Sequence, residues 1–167
     1  FEVTPRDGAR AVWIHELHIR ARAGLKTCDL CDIQATVAGA LNAVWYGLAE
    51  NDPLNALVVT AGLDWRDVSI LRAYTKYMQQ ARVSYTPAYI MKALGDHPVL
   101  SAALVGLFHA LHDPALPDAK RRAKDWEQAL MQGLEEVTVL DQDRIIRYIK
   151  SLVDATLRTN FYQLDEA

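Results

Sequence analysis

Four residues near the start of the chain carry side chains that bind zinc: His15, His18, Cys28 and Cys31. Two imidazole nitrogens and two thiolates can close a tetrahedral shell around Zn²⁺, and the two cysteines would share one face of a helix. If residues 11–20 form a strand, however, the two histidines point to opposite faces and do not bind the same ion. We therefore predict no metal site. A thioredoxin-like role for the cysteines needs a βαβ context, which the sequence does not provide.

The other residues with reactive side chains are not spaced for catalysis. His109 and His112, followed by Asp113, fall near the end of a predicted helix, where the helix dipole favours an imidazolium. Glu135 and Glu136 are adjacent, so on a helix they point about 100° apart and do not converge as an acid–base pair. The sequence contains no glycine-rich nucleotide loop and no nucleophile elbow. We therefore predict no catalytic residue and no cofactor-binding residue in this chain.

The charged residues are typical of solvated helix faces. The basic run Lys120–Lys124 is flanked by Asp118, Asp125 and Glu127, and the formal net charge is −3, so we expect no nucleic-acid partner. Two interpretations, inter-domain ion pairs or simple surface solvation, stay open for four arginines: Arg72, Arg144, Arg147 and Arg158.

Length and composition favour a single domain with its own core. The chain has 167 residues, of which 51% are hydrophobic, and a chain of this length buries roughly 70% of its unfolded surface. No apolar run approaches the roughly 20 residues that span a bilayer, and residues 1–5 lack the order of a signal peptide. Two cysteines indicate a reducing compartment. We expect a cytoplasmic protein with no membrane partner, and the missing initiator Met suggests a piece of a longer one.

The elements that must position these residues fall into two parts. In residues 1–24, the turn signal Pro5–Gly8 precedes an alternating stretch at 11–20, which together predict a β-hairpin. Because an isolated hairpin is only marginally stable, we interpret it as the remnant of a sheet whose other strands lie elsewhere. Residues 25–167 have a helical period throughout. They predict one all-α domain, a bundle of about six or seven helices.

Capping residues predict where several helices start and stop. Pro53, Asp64, Thr86 and Pro98 mark starts and Gly62 marks a stop, while the last helix begins near Asp141 or Asp143. The helix after Pro98, apolar around most of its circumference including Val99 and Leu111, is predicted as the central one. On the helix after Asp64, Arg72 is assigned to the solvent face. On the last helix, Leu157 is assigned to the core and Asp154 is placed to pair with Arg158. The predicted seam of the first helix is Leu30, Ile33, Val37, Leu41, Val44 and Leu48.

A succession of short motifs resembles the large bacterial NAD-specific glutamate dehydrogenases. Among these motifs are Trp45-Tyr46-Gly47, Glu50-Asn51-Asp52, Ala61-Gly62-Leu63, Trp65-Arg66-Asp67-Val68, Leu71-Arg72-Ala73-Tyr74, His97-Pro98, Asp143-Arg144-Ile145-Ile146-Arg147 and Ala155-Thr156-Leu157-Arg158-Thr159-Asn160. The resemblance covers residues 30–163. Residues 1–20 are similar to the last strands of an ACT-like regulatory region that precedes the helices in that family.

The resemblance implies an enzyme that oxidatively deaminates L-glutamate to 2-oxoglutarate and ammonia with NAD, as a multidomain, homo-oligomeric cytoplasmic protein. It also implies that the catalytic lysine, the glutamate pocket and the Rossmann domain follow Tyr162 and Gln163. This chain would then be a non-catalytic helical scaffold upstream of the catalytic domain, its partners would be other domains of the same polypeptide, and NAD would be bound only by the parent enzyme. The alternative is a stand-alone helical adaptor or regulatory module that binds a partner protein or a small effector.

Overall fold

A computed structural model of the chain describes residues 2–3, 12–13 and 30–163. Glu2–Val3 (β1) and Val12–Trp13 (β2) pair in antiparallel fashion, with Val3 opposite Val12. The turn of the predicted hairpin and most of its second strand lie outside the described residues. The hairpin as a whole therefore stays a prediction, as does the division into residues 1–24 and 25–167.

From residue 30 onward the described chain is helical, as the 3.6-residue period predicts. The all-α fold class, with about six or seven helices, is confirmed for this part of the chain. The helices are α1 (Leu30–Trp45), a 3₁₀ helix (Pro53–Ala56), α2 (Leu57–Thr60), α3 (Trp65–Gln80), α4 (Pro87–Asp96), α5 (Pro98–His112), α6 (Ala119–Leu134) and α7 (Leu140–Ala155).

The predicted capping residues act as expected. The Asp64 carboxylate accepts a hydrogen bond from the backbone N–H of Asp67 at 2.7 Å, which starts α3. Thr86 caps α4 in the same way through the N–H of Tyr89. Gly62 has a φ of +67°, the left-handed conformation that ends α2 and that a side chain would strain.

Helix α5 lies at the centre of the bundle, as its apolar circumference predicts. Leu104, Leu107 and Phe108 are buried there, and α5 packs against α3, α4, α6 and α7. Helix α6 approaches α5 closely because two glycines face large side chains across the pair. A Cβ on Gly106 would overlap the indole of Trp126, and one on Gly133 would lie 2.6 Å from Leu100 Cδ2.

Helix α7 completes the core by packing against α4 and α5. Its residues Ile145, Ile146, Ile149 and Val153 are fully or almost fully buried and belong to the same continuous hydrophobic cluster as the buried residues of α3, α4 and α5. The amphipathic stripe read from the sequence therefore faces the core for most of this helix.

The predicted seam of α1 is wrong at Leu41 and Leu48. Leu41 is exposed and Leu48 is 68% exposed, whereas Ala40 and Ala43 face the core. Helix α1 packs on α2 and α3, and its small residues allow this close approach, with Trp65 beside Gly39. Periodicity identifies apolar stripes, but here the stripe of small residues is the buried one.

Three other assignments to the core and one to an ion pair are also wrong. Val99 at the first turn of α5 and Leu111 at its last turn are exposed, and Leu157 is 93% exposed. Arg158 does not pair with Asp154, because α7 ends at Ala155 and the chain leaves the helical path. The Asp154 carboxylate accepts instead from Lys150 Nζ, at 2.7 Å.

Among the described residues no single helix is long and apolar enough to span a membrane. Helices α4 and α5 reach that length and apolar content only when taken together, and they are bent by 98° relative to each other.

Candidate functional site

A group of titratable side chains from three elements lies around His109, near the C-terminal end of α5. Its Nε2 is 2.8 Å from Oδ1 of Asp67, which lies in the first turn of α3. Its Nδ1 is 2.6 Å from the hydroxyl of Tyr162, in the segment that follows α7. Both ring nitrogens are therefore occupied, one by each neighbouring element.

Arg66 and Phe161 extend this grouping on the same side of the bundle. Arg66 Nη2 donates a hydrogen bond to the backbone carbonyl of Phe161 at 2.8 Å, and its guanidinium lies 5.1 Å from the centroid of the Phe161 ring. The Phe161 ring also packs edge-on against His109. We refer to Arg66, Asp67, His109, Phe161 and Tyr162 as the His109 cluster.

Tyr162 is not an activated nucleophile. Burial, together with the negative charges of Asp113 and Asp67, raises the pKa of Tyr162 to about 12. At neutral pH the phenol keeps its proton, and the Asp67 carboxylate accepts a hydrogen bond from the Nε2–H of His109. The arrangement is a chain of hydrogen bonds that runs from α3 through His109 to the segment after α7.

Two cavities border the segment after α7. One, of about 240 Å³, is lined by Asp64 and the His109 cluster. The other, of about 360 Å³, lies between α3, α5 and residues 156–161, with Tyr74, Phe108 and Phe161 among its apolar walls. Between α3 and this segment, the hydroxyls of Tyr74 and Thr156 are 2.7 Å apart, and burial raises the pKa of Tyr74.

A second polar cluster centres on Arg72, whose predicted place on the solvent face is wrong. Arg72 is only 5% exposed. Its Nε lies 2.5 Å from one carboxylate oxygen of Asp52, its Nη2 lies 3.0 Å from the other, and Nη2 also donates to Asn55. The same Asp52 carboxylate caps the 3₁₀ helix through the N–H of Leu54. This ion pair fixes the 3₁₀ helix on α3, so neither inter-domain pairing nor solvation describes Arg72.

The remaining candidates from the sequence are dispersed. Of the arginines, Arg144 and Arg147 make exposed pairs with aspartates of their own helix, and Arg158 is exposed. His112 packs on Phe108 and its Nε2 is buried without a hydrogen-bond partner. Lys120, Arg121, Arg122 and Lys124 are exposed, and so are Glu135 and Glu136.

The zinc-binding set considered above falls on residues 15, 18, 28 and 31, whose side chains lie outside the described part of the structure. Within the described residues, no three His, Cys, Asp or Glu side chains are grouped to hold a metal ion.

The sequence did not reveal that His109, Asp67 and Tyr162 come together. Asp67 lies 42 positions and Tyr162 lies 53 positions from His109 along the chain, and no local motif links them. The helix-dipole interpretation of His109 considered only its own helix. The residues that bind its imidazole come from two other elements.

Comparison with known families gives two matches along the chain. The family model described as glutamate dehydrogenase, helical motif 3, matches residues 49–114. The model described as the catalytic domain of bacterial NAD-glutamate dehydrogenase matches residues 129–167. The resemblance placed the catalytic region after Tyr162 and Gln163. The second match begins earlier, within α6.

Individual relatives agree with these matches. The chain is similar to proteins named NAD-specific glutamate dehydrogenase from Halomonas elongata (35% identical over 99% of this chain), Pseudomonas aeruginosa (39% over 95%) and Mycobacterium tuberculosis (38% over 97%). In each case the chain spans 10% of the length of the relative. No solved structure gives a significant match.

Proposed function

This chain belongs to the family of large NAD-specific glutamate dehydrogenases, and from that premise we propose that it is a non-catalytic helical module of such an enzyme. The parent polypeptide would oxidise L-glutamate with NAD to 2-oxoglutarate and ammonia. The module would bind neither NAD nor glutamate, and its partners would be other domains of the same polypeptide. The parent enzyme would be cytoplasmic and homo-oligomeric.

One observation carries the proposal: the two family matches are packed into one hydrophobic core. Ile90 and Leu104 come from the helical-motif match, and Ile145 and Ile149 come from the catalytic-domain match. All four are completely buried in the same cluster. A core shared in this way supports a structural role, in which the helices hold the start of the catalytic-domain segment.

The chemistry of the described residues supports the non-catalytic part of the proposal. Asp52 and Arg72 are used to join two helices. Tyr162, the group with a strongly raised pKa, keeps its proton at neutral pH and is hydrogen-bonded to His109. No described cluster combines a free nucleophile, a base and an oxyanion site.

Calorimetric titration tests the proposal directly. We expect no heat of binding when NAD or L-glutamate is added to this chain, and glutamate-dependent reduction of NAD by the full-length polypeptide that contains it. Tight binding of either ligand to the chain alone would overturn the non-catalytic role. A full-length protein without dehydrogenase activity would instead favour the adaptor or regulatory module.

A further inference from the structure

The His109 cluster joins the two segments that match different family models. Arg66, Asp67 and His109 lie within the helical-motif match, whereas Phe161 and Tyr162 lie within the catalytic-domain match. The cluster is therefore formed by both segments. Two hydrogen bonds join them, one between Arg66 and the Phe161 carbonyl and one between His109 and the Tyr162 hydroxyl.

We propose that the His109 cluster is the joint at which α3 and α5 hold the chain leaving α7 in one fixed direction, and thereby orient the catalytic domain. The orienting part of this inference rests on the function proposed above. The holding part rests on the contacts of the described residues alone. Asp67, His109 and Tyr162 are positioning residues in this view, since none of them is proposed to touch a substrate.

The segment after α7 needs such a joint because it has little structure of its own. Residues 156–163 form no helix, and the backbone N–H groups of Phe161 and Gln163 bond only to Thr159 Oγ1 and to the Asn160 carbonyl. A short irregular segment loses conformational entropy when it is held in place. Contacts with α3 and α5 must offset that loss, and the His109 cluster supplies the polar ones at Phe161 and Tyr162.

The hydrogen bonds of the cluster also fix direction, which apolar packing alone does not. Asp67 fixes the imidazole of His109 from α3, and the imidazole in turn fixes the phenol of Tyr162. Arg66 independently holds the carbonyl of the preceding residue, Phe161. Since hydrogen bonds require narrow ranges of angle, two adjacent residues held from two helices leave the segment little freedom to rotate.

Hydrogen exchange of this chain tests the holding part. In Tyr162→Phe, which removes only the hydroxyl, we expect the amides of Phe161 and Gln163 to exchange about fivefold faster, the effect of losing one hydrogen bond. Tyr148→Phe is the matched control, because Tyr148 is exposed on α7 and its hydroxyl has no hydrogen bond within the described chain. In Tyr148→Phe, the amides of residues 161–163 should exchange at the wild-type rate. Unchanged exchange in Tyr162→Phe would overturn the joint.

A double-mutant cycle separates the joint from two independent contacts. Asp67→Asn and Tyr162→Phe change groups that both bind His109 but lie on different elements. If the imidazole links them, the two changes together should accelerate exchange at Phe161 by less than the product of their separate effects. Multiplicative effects would show that the two contacts act separately, and the proposal would fail in its directional part.

Kinetics of the full-length polypeptide test the orienting part. Tyr162→Phe should lower kcat for glutamate oxidation about fivefold or more with KM for NAD and glutamate unchanged, while Tyr148→Phe has wild-type kinetics. Faster exchange with unchanged kcat would confine the joint to this module and overturn its effect on the catalytic domain. A wild-type protein without dehydrogenase activity would overturn the proposed function, and the exchange experiment would still decide whether the joint exists.

Discussion

Removing the guanidinium of Arg72 leaves the carboxylate of Asp52 without its partner in a place where only 12% of that side chain reaches water. Breaking such a buried pair costs about 3–5 kcal/mol, and the 3₁₀ helix that Asp52 caps loses its attachment to α3. We expect Arg72→Ala to lower the free energy of unfolding by that amount in urea titrations followed by circular dichroism. Arg144→Ala is the control, because Arg144 makes a solvent-exposed pair at 3.7 Å and should cost less than about 1 kcal/mol. Equal losses would contradict the buried role of Arg72.

Tyr162 should make stability depend on pH in the alkaline range. Its pKa in the folded chain is about 12, above the ordinary value near 10, so the folded state keeps a proton that the unfolded state releases. The contribution of Tyr162 is fully present below pH 10 and is lost as pH rises through about 12. The ultraviolet absorbance of phenolate can be titrated at alkaline pH in the wild type and in Tyr162→Phe. The difference between the two curves should show one phenol with a pKa near 12 in the folded chain and near 10 in urea. A folded-state value near 10 would contradict the half-buried, negatively charged environment of Tyr162.

The sequence predicts residues well where their partners are local. Asp64 and Thr86 cap their helices as predicted because each binds an N–H three positions ahead. Arg72 and His109 were assigned to incomplete roles because their partners are remote in sequence. Asp52 precedes Arg72 by 20 positions, and a buried arginine has the same place in the helical period as an exposed one until that partner is known.

At the scale of elements, the pair formed by α5 and α6 depends on two glycines that ordinary helix propensity disfavours. Ala in place of Gly gains about 1 kcal/mol in a helix interior, but at Gly106 the added methyl would overlap the indole of Trp126. Overpacking of this kind costs about 1–3 kcal/mol. We therefore expect Gly106→Ala to lower the thermal midpoint, measured by circular dichroism.

Gly95 provides the opposite control for that experiment. It lies in α4, has no atom within 4 Å of an added Cβ, and has no positive φ, so Gly95→Ala should raise the midpoint slightly. In a protein that already carries Trp126→Ala the indole is absent. There, Gly106→Ala should lower the midpoint by less than it does in the wild type. A stabilising effect of Gly106→Ala would mean that α5 and α6 are farther apart than described.

The same elements show what periodicity leaves undecided. Helices α5 and α7 are correctly placed in the core because one broad apolar stripe dominates each of them. In α1, a stripe with larger residues competes with a stripe of small ones, and the choice depends on how closely α2 and α3 approach. Leu41 is therefore exposed while Ala40 is buried. Periodicity also does not predict where a helix ends. Leu157 fits the period of α7 but follows its last residue, Ala155.

For the whole molecule, the boundary between the two family matches lies inside one core, so the helical-motif segment should not fold by itself. Helix α7, which lies in the catalytic-domain match, covers α4 and α5. A chain ending at residue 116 would expose the surface that Ile145, Ile146 and Ile149 cover. We expect it to lack a cooperative thermal transition, whereas residues 30–163 unfold in one step.

A single substitution tests the same coupling without truncation. Ile149→Ala should cost about 2–5 kcal/mol, because Ile149 is completely buried. If the two family segments form one cooperative unit, this change in α7 should lower the unfolding midpoint of α3 equally. Hydrogen exchange of buried amides in α3, such as those of Val68 and Leu71, would then accelerate by the same factor as amides in α7. Exchange that increases in α7 alone would place the domain boundary between these helices, and the scaffold would consist of two separately folded parts.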